Sequence, residues 1–313
     1  MLVSASGRTD IPHYYGEWLM RRLKEGWVLS RNPLFPEKVS RLRLDPDLVD
    51  ALIFCSKDPS PMLGNIERIL GMGFRIFFFV TITSYGSDIE PGVPPWREAA
   101  GTFARLSALL GKERICWRYD PVLLTPKYTV EHHALAFEEM CSVLEPYASS
   151  CVFSFVQMYR KLAYAFPSLR PVPEADKLIM LRSFSYSAAR HGIQLRTCAE
   201  TGDYASLGIA RSGCVTVPLL EKAFGIRMRR VQPRPMREGC QCLPMHDIGA
   251  YDACPSGCRY CYATSSKTAT LRNYAEHNPD SPMLNDSLRK GDIVTEAVQR
   301  SFFLPRDGQL SLL

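Results

Sequence analysis

Short apolar or β-branched runs alternate, through the first two-thirds of the sequence, with longer stretches in which apolar residues return every three or four positions. That alternation is the signature of repeated βα units around a parallel sheet. Six strands are expected, near Leu2-Val3-Ser4-Ala5, Ala51-Leu52-Ile53-Phe54, Arg75 to Thr81, Arg114 to Tyr119, Cys151 to Val156 and Ile193 to Thr197. Between them Leu63, Ile66 and Leu70 mark one helical face, as do Ala99, Phe103, Leu106 and Leu110, and then Val130, Ala134, Phe137, Cys141 and Leu144. Ser60-Pro61 and Thr129 suit helix N-termini, and Gly26, Gly111 and Gly192 suit the left-handed position after a helix.

Two stretches depart from this alternation. Trp27 to Leu44 reads as a hairpin or irregular excursion inserted after the first helix. After Gly225 come a basic, proline-rich passage, a cysteine loop and a polar tail, which read as a cap rather than another βα unit. The expected fold is α/β: a TIM-like or partial (β/α) barrel over residues 1–225, with a cysteine-rich extension, 226–313, packed on it. An open doubly wound sheet is the alternative.

With 46% hydrophobic and 22% charged residues in 313, the chain is rich enough in apolar residues to exclude disorder as a description of the whole. The formal charge of +6 tolerates an anionic ligand, but it is too diffuse to establish nucleic-acid binding. No run of about 18 apolar residues occurs, so no membrane span is expected. The N-terminus lacks the pattern of a signal peptide, which makes a cytoplasmic, reducing location the expectation.

Ligands of parallel α/β folds collect at the C-terminal ends of strands, so the polar residues after each apolar run are the candidates. Arg8 and Asp10 follow the first run, Lys57 and Asp58 the second, Thr83 and Tyr85 the third, Arg118 and Asp120 the fourth, Gln157 and Tyr159 the fifth, and Glu200 the sixth. Taken singly, the aspartates before proline are ordinary turn residues, and an Arg-x-Asp pair is an ordinary rim ion pair. Together they form a convergent polar set. Arg8, Lys57 and Arg118 are expected to bind anionic groups of a substrate, and Asp10, Asp120 and Glu200 to accept hydrogen bonds or protons. The sequence names neither that substrate nor its size, and a nucleic acid is not excluded.

In a reducing compartment the 11 cysteines point to metals or reactive thiols rather than disulfides. Cys254, Cys258 and Cys261 have the spacing C-x3-C-x2-C, with Pro255 and Gly257 to turn the loop. Such a triplet suits an iron-sulfur cluster, because structural zinc usually presents paired C-x2-C knuckles. With three local ligands, one iron of a 4Fe-4S cubane stays open unless Cys240 or Cys242 supplies a fourth bond. Cys198, Cys214, Cys240 and Cys242 are sufficient in number for a second iron-sulfur cluster or a zinc site. Cys55, Cys116, Cys141 and Cys151 fall in strand or helix runs and are expected to pack as small hydrophobes. His246 is not counted as a ligand. Arg227, Arg229, Arg230, Arg234 and Arg237 form a basic strip that binds phosphate, compensates a thiolate cluster or is simply solvated.

The loop Cys254-Pro-Ser-Gly-Cys258-Arg-Tyr260-Cys261-Tyr-Ala resembles that of the radical S-adenosylmethionine superfamily, where an aromatic residue often precedes the last cysteine. Its Cys-Arg-Tyr-Cys-Tyr-Ala string looks like the loop of spore photoproduct lyase-type members. From SASGRTDIPHYYGEW onward the chain also resembles an uncharacterised domain-of-unknown-function family noted for a C-terminal cysteine cluster similar to that loop. The resemblance implies a 4Fe-4S cluster on Cys254, Cys258 and Cys261, with S-adenosylmethionine chelated at the open iron and Tyr260 beside it. It further implies reductive cleavage to a 5'-deoxyadenosyl radical, with flavodoxin or ferredoxin as a possible electron donor. Superfamily members usually carry the loop after the first barrel strand and have a Gly-Gly-Glu-like segment. Here the loop comes late and no such segment is evident, so a permuted arrangement over the barrel mouth is expected. The alternative is a noncatalytic iron-sulfur or zinc protein that senses redox state or binds nucleic acid.

Overall fold

The computed structural model describes residues 1–5, 7–234, 237 and 239–304. Ser6 of the N-terminal string, Pro235, Met236 and Glu238 of the basic passage, and 305–313 of the expected extension lie outside the described residues. The chain begins β1 (Leu2–Ser4), α1 (Ile11–Tyr14), α2 (Gly16–Glu25), β2 (Trp27–Arg31), β3 (Lys38–Arg43), β4 (Ala51–Ser56), α3 (Leu63–Gly71) and β5 (Ile76–Thr81). It continues through α4 (Trp96–Leu110), β6 (Ile115–Val122), α5 (Val130–Leu144), β7 (Ser150–Phe155), α6 (Leu162–Ala165), α7 (Glu174–Arg190), β8 (Gln194–Thr197) and β9 (Ala210–Arg211). Then follow α8 (Val217–Phe224), β10 (Met245–Asp247), α9 (Lys267–Ala275) and β11 (Ile293–Glu296).

Eight strands form one parallel sheet in the order β10-β1-β4-β5-β6-β7-β8-β9. From β1 to β9 the spatial order follows the chain, and then β10 returns to the far side of β1. β9 and β10 are the edge strands and share no ladder among the described residues; Leu243 N, just before β10, donates to Val215 O, after β9 (3.0 Å). The segment Trp27 to Leu44 is a hairpin, as its pattern indicates: β2 and β3 pair antiparallel, and β11 joins β3 in a separate sheet.

The expectation of six strands and no further βα unit after Gly225 is corrected by β9 and β10. Both are too short to show a period, and the Met-His-Asp of β10 carries no apolar alternation. Gly26 and Gly192 take the left-handed conformation at helix ends, with φ of 78° and 62°. Gly111 has positive φ but an extended ψ of 143°.

Because strand side chains alternate between faces, the sheet supports two cores. Phe54, Phe78, Trp117 and Phe153 point to the helices, where they meet Ile66, Phe103, Phe137 and Phe184. Consecutive helices α2, α3, α4, α5 and α7 neighbour one another along that side. Each such buried aromatic or aliphatic side chain contributes about 1.5–3 kcal/mol by leaving water. The opposite face packs Leu2, Ala51, Ile53, Phe77, Phe79, Cys116 and Val152 against Leu220 of α8, Met228 and Leu243. Toward the C-terminal ends of the strands this inner face turns polar, and there the candidate chemistry gathers.

Candidate metal centres

The cysteine loop is held over the strand ends by bonds from three sides. Ile248 N donates to Ser4 O (3.0 Å), so the chain leaving β10 stays beside β1. Thr9 then clamps Ala250, its hydroxyl donating to the carbonyl (2.6 Å) and accepting from the N–H (3.1 Å). Tyr15 donates to Ala253 O (2.5 Å), and Tyr14 shares a hydroxyl contact with Ser256 (3.1 Å). On the other flank Gly92 N donates to Ser256 O (2.9 Å) and Arg259 N to Ile89 O (3.0 Å). Asp252, at a φ of 50°, accepts from the N–H groups of Ser265 (2.5 Å) and Ser266 (3.1 Å), which closes the loop behind the cysteines.

Cys254, Cys258 and Cys261 are half-buried. Backbone N–H groups of Asp10 and Ser256 face the Cys254 sulfur. Those of Cys261 and Ala263 bond Cys258 O (3.0 Å) and the Cys261 sulfur (3.4 Å). Burial pushes the Cys254 and Cys258 thiols up in pKa, and Lys57 pulls Cys258 the other way. Among the described residues these three sulfurs do not all lie within 4.8 Å of one another.

Beneath the loop, Lys57 Nζ pairs with Glu90 (2.8 Å). The same carboxylate accepts from Thr83 (3.0 Å) and from Tyr260. Burial opposes the charge of Lys57, but Glu90, Cys258 and Asp120 keep its pKa above the ordinary value. Tyr260 is packed near Tyr85 with Lys57 over its ring at 5.6 Å.

A second group consists of Cys198, Cys214 and Cys242, all buried and with sulfurs mutually within 4.8 Å. These thiols could hold a metal ion. Cys198 follows β8, Cys214 follows β9 and Cys242 precedes β10. Hydrogen bonds from the Cys214 and Cys242 thiols, helped by Arg118 and Arg237, put the Cys198 pKa well below normal despite burial. The thiol bonds within the group push the other two, Cys214 and Cys242, up. Cys240 is buried beside Cys242.

Between the two groups runs the polar inner face. Arg118 donates to Asp120 and to the Cys55 sulfur (3.5 Å), and Asp120 accepts from Ser154. Arg237 reaches Ser154 (3.4 Å), Gln157 (3.3 Å), Tyr159 (3.4 Å) and the Cys198 sulfur (3.8 Å). Lys57, Asp120 and Arg118 therefore form a charged path from Cys258 toward Cys198.

Several expected residues take unexpected places. Arg118 and Asp120 lie within β6 rather than after it, because the strand continues to Val122 through an irregular register with β7. Arg8 is bound to Asp247 (3.1 Å) and to its carbonyl (3.0 Å), a tie between the β1 and β10 ends. Asp10 caps α1 by accepting from His13 N (3.1 Å) and also accepts from Ser56 (2.9 Å) and Lys57 N (2.9 Å). Glu200 accepts from Phe155 N (3.0 Å), and burial raises its pKa. Cys116, Cys141 and Cys151 are buried as expected, but Cys55 is only half-buried and faces Arg118. The basic strip divides: Arg227, Arg229, Arg230 and Arg234 are exposed, and Arg237 turns inward. Glu90, Ser154 and Cys55 were not among the expected site residues. A count of alternate positions along β4 and β7 would have drawn out Cys55 and Ser154.

A profile described as a domain of unknown function, DUF1848, matches residues 2–263, which take in the whole eight-stranded sheet and both cysteine groups. The chain belongs to that family. Neither the curated proteins nor the solved structures compared with it yield a match. What this DUF1848 chain offers chemically is its own geometry: one set of thiols on the loop after β10, and a second drawn from the segments after β8, after β9 and before β10. No helix among its described residues is long and apolar enough to cross a membrane.

Proposed function

We propose that this DUF1848 chain is a radical S-adenosylmethionine-type enzyme whose Cys254, Cys258 and Cys261 ligate a 4Fe-4S cluster. The observation that carries the reading is the position of the loop: it leaves the C-terminal end of β10, and β10 lies beside β1. We read the sheet as an incompletely closed barrel. Counted around it from β10, the cysteine loop follows the first strand, which is where the resembling superfamily carries its own. The three local thiols and the N–H groups directed at Cys254 and Cys261 support a cluster there. When bound and reduced, such a cluster supplies an open iron and the electron that cleaves S-adenosylmethionine.

The chain's own residues provide the setting. Tyr260 and the Lys57–Glu90 pair fix the loop from below, so the three thiols keep their directions. Arg118, with Asp120 and Ser154, offers a cation and acceptors to a polar substrate on the inner face. In this reading residues 1–225 supply most of the surface and 226–313 the cluster ligands. A reducing compartment, the setting this reading expects, would keep the ligating cysteines as thiols. A flavodoxin or ferredoxin is the class of electron donor the reaction needs.

Anaerobic reconstitution with iron and sulfide, then reduction in the presence of S-adenosylmethionine, tests the reading. The expected products are methionine and 5'-deoxyadenosine, lost in Cys254→Ala, Cys258→Ala or Cys261→Ala. A cluster that forms but never cleaves S-adenosylmethionine would leave a noncatalytic iron-sulfur protein. Preparations without iron would overturn both.

A further inference from the structure

We propose that Cys198, Cys214 and Cys242, completed by Cys240, bind one zinc ion that clamps the seam between β9 and β10. The proposal does not depend on radical chemistry at the other loop. Its first support is spacing. The three sulfurs already lie within 4.8 Å of one another, close to the roughly 3.8 Å edge of a tetrahedral thiolate site. A cubane would need its thiolates spread farther apart, each on its own iron. The Cys242 thiol bonds that of Cys240, two residues before it, so a turn of the Cys240 side chain toward the group would fill the fourth corner.

The second support is where the ligands come from. Cys198, Cys214 and the Cys240–Cys242 pair come from three pieces of chain, after β8, after β9 and before β10, the last two being the edge strands of the sheet. Backbone there is packed tightly: a Cβ on Gly213 would stand 2.5 Å from Gln241 O, and one on Gly239 would stand 2.8 Å from Ala199 O. Cys214 N donates to the Cys242 sulfur (3.2 Å), an N–H···S bond of the kind that steadies a ligating thiolate. A closed thiolate site here ties the paired β8 and β9 to β10, which has no ladder with either among the described residues.

Charge supports it as well. Four thiolates on one zinc leave two negative charges. Two guanidinium groups flank the site: Arg196 donates to Cys214 O (3.5 Å), and Arg237 stands 3.8 Å from the Cys198 sulfur. Binding exchanges thiol protons for the ion, and those protons pass to solvent.

The test uses the full chain carrying Cys254→Ala, Cys258→Ala and Cys261→Ala, so that the first loop holds nothing. Metal analysis after growth with zinc should find one zinc per chain. Cobalt(II) added to the apo form should give the intense visible bands of a tetrahedral thiolate site. Adding Cys198→Ser, Cys214→Ser or Cys242→Ser should abolish the bands, and Cys240→Ser should weaken the affinity and alter their pattern. Stripping zinc from the parent should lower Tm, and restoring it should return Tm, a readout that needs no mutant to fold. Iron and sulfide in place of zinc, or cobalt bands of an octahedral site, would overturn the proposal. So would a chain that takes up no metal but keeps its circular dichroism and melting.

Discussion

Lys57 Nζ lies 2.8 Å from Glu90 Oε1, and Tyr260 of the cysteine loop donates to that same carboxylate, so one buried acid joins the end of β4 to the loop after β10. Removing one partner of a buried pair leaves an uncompensated charge, which costs about 3–5 kcal/mol. Glu90→Gln is therefore expected to lower the unfolding free energy by an amount near that range in urea titrations of the apo chain. It should also lower iron uptake at Cys254, Cys258 and Cys261, since Tyr260 loses its anchor. Unchanged stability would show that the pair is replaced by water.

Gly92 makes a different kind of contact with the loop. A Cβ there would stand 2.8 Å from both the Cα and the carbonyl oxygen of Ser256, backbone atoms that have no room to yield. Gly92→Ala is expected to push the loop off its seat and reduce reconstituted iron while far-ultraviolet circular dichroism stays native. Gly101→Ala is the control: its Cβ meets nothing within 4 Å on helix α4, and the change should stabilise by about 0.5–1 kcal/mol. Equal iron in the Gly92 variant and the wild type would show that the loop tolerates displacement.

How much of this was legible in the sequence depended on what fixes each feature. The Cys254 loop was visible because ligand type and spacing are local properties. The helices were visible because α3, α4 and α5 each repeat apolar residues on one face. By contrast β10 has only Met245, His246 and Asp247, so its place beside β1 comes from tertiary pairing and leaves no period to read. Asp120-Pro121 reads as a turn, yet β6 runs on through it because Val122 and Phe155 still pair. Cys55 follows an apolar run and so looked like core. The pleat turns it to the inner face, where Thr81 (3.8 Å) and Arg118 (3.5 Å) meet it. The Cys198, Cys214 and Cys242 group combines three separate segments, a juxtaposition that count alone does not supply.

His133 sets the acid limit of the helix-side core. It is buried on α5, with Nδ1 2.7 Å from the Tyr119 hydroxyl and Nε2 2.9 Å from Leu123 O. The carbonyl can only accept, so Nε2 carries the proton, Nδ1 accepts from Tyr119 and the ring is neutral. Burial lowers its pKa from 6.5 to about 4. Between those two values the unfolded chain binds a proton that the folded chain does not, so the folded state loses stability as pH falls through this window. The loss amounts to about 3 kcal/mol by pH 4. His13 and His191, whose pKa values are raised by Asp58 and Glu145, act in the opposite sense, stabilising below 6.5 and ceasing to do so as pH rises. The difference between wild type and His133→Gln isolates the buried ring from them. Urea unfolding followed by the fluorescence of the four tryptophans at pH 4.5, 5.5 and 7 should show a shallower pH dependence in the variant, despite its lower stability at pH 7. Parallel curves for the two proteins would mean that His133 gains its proton without penalty in the folded state.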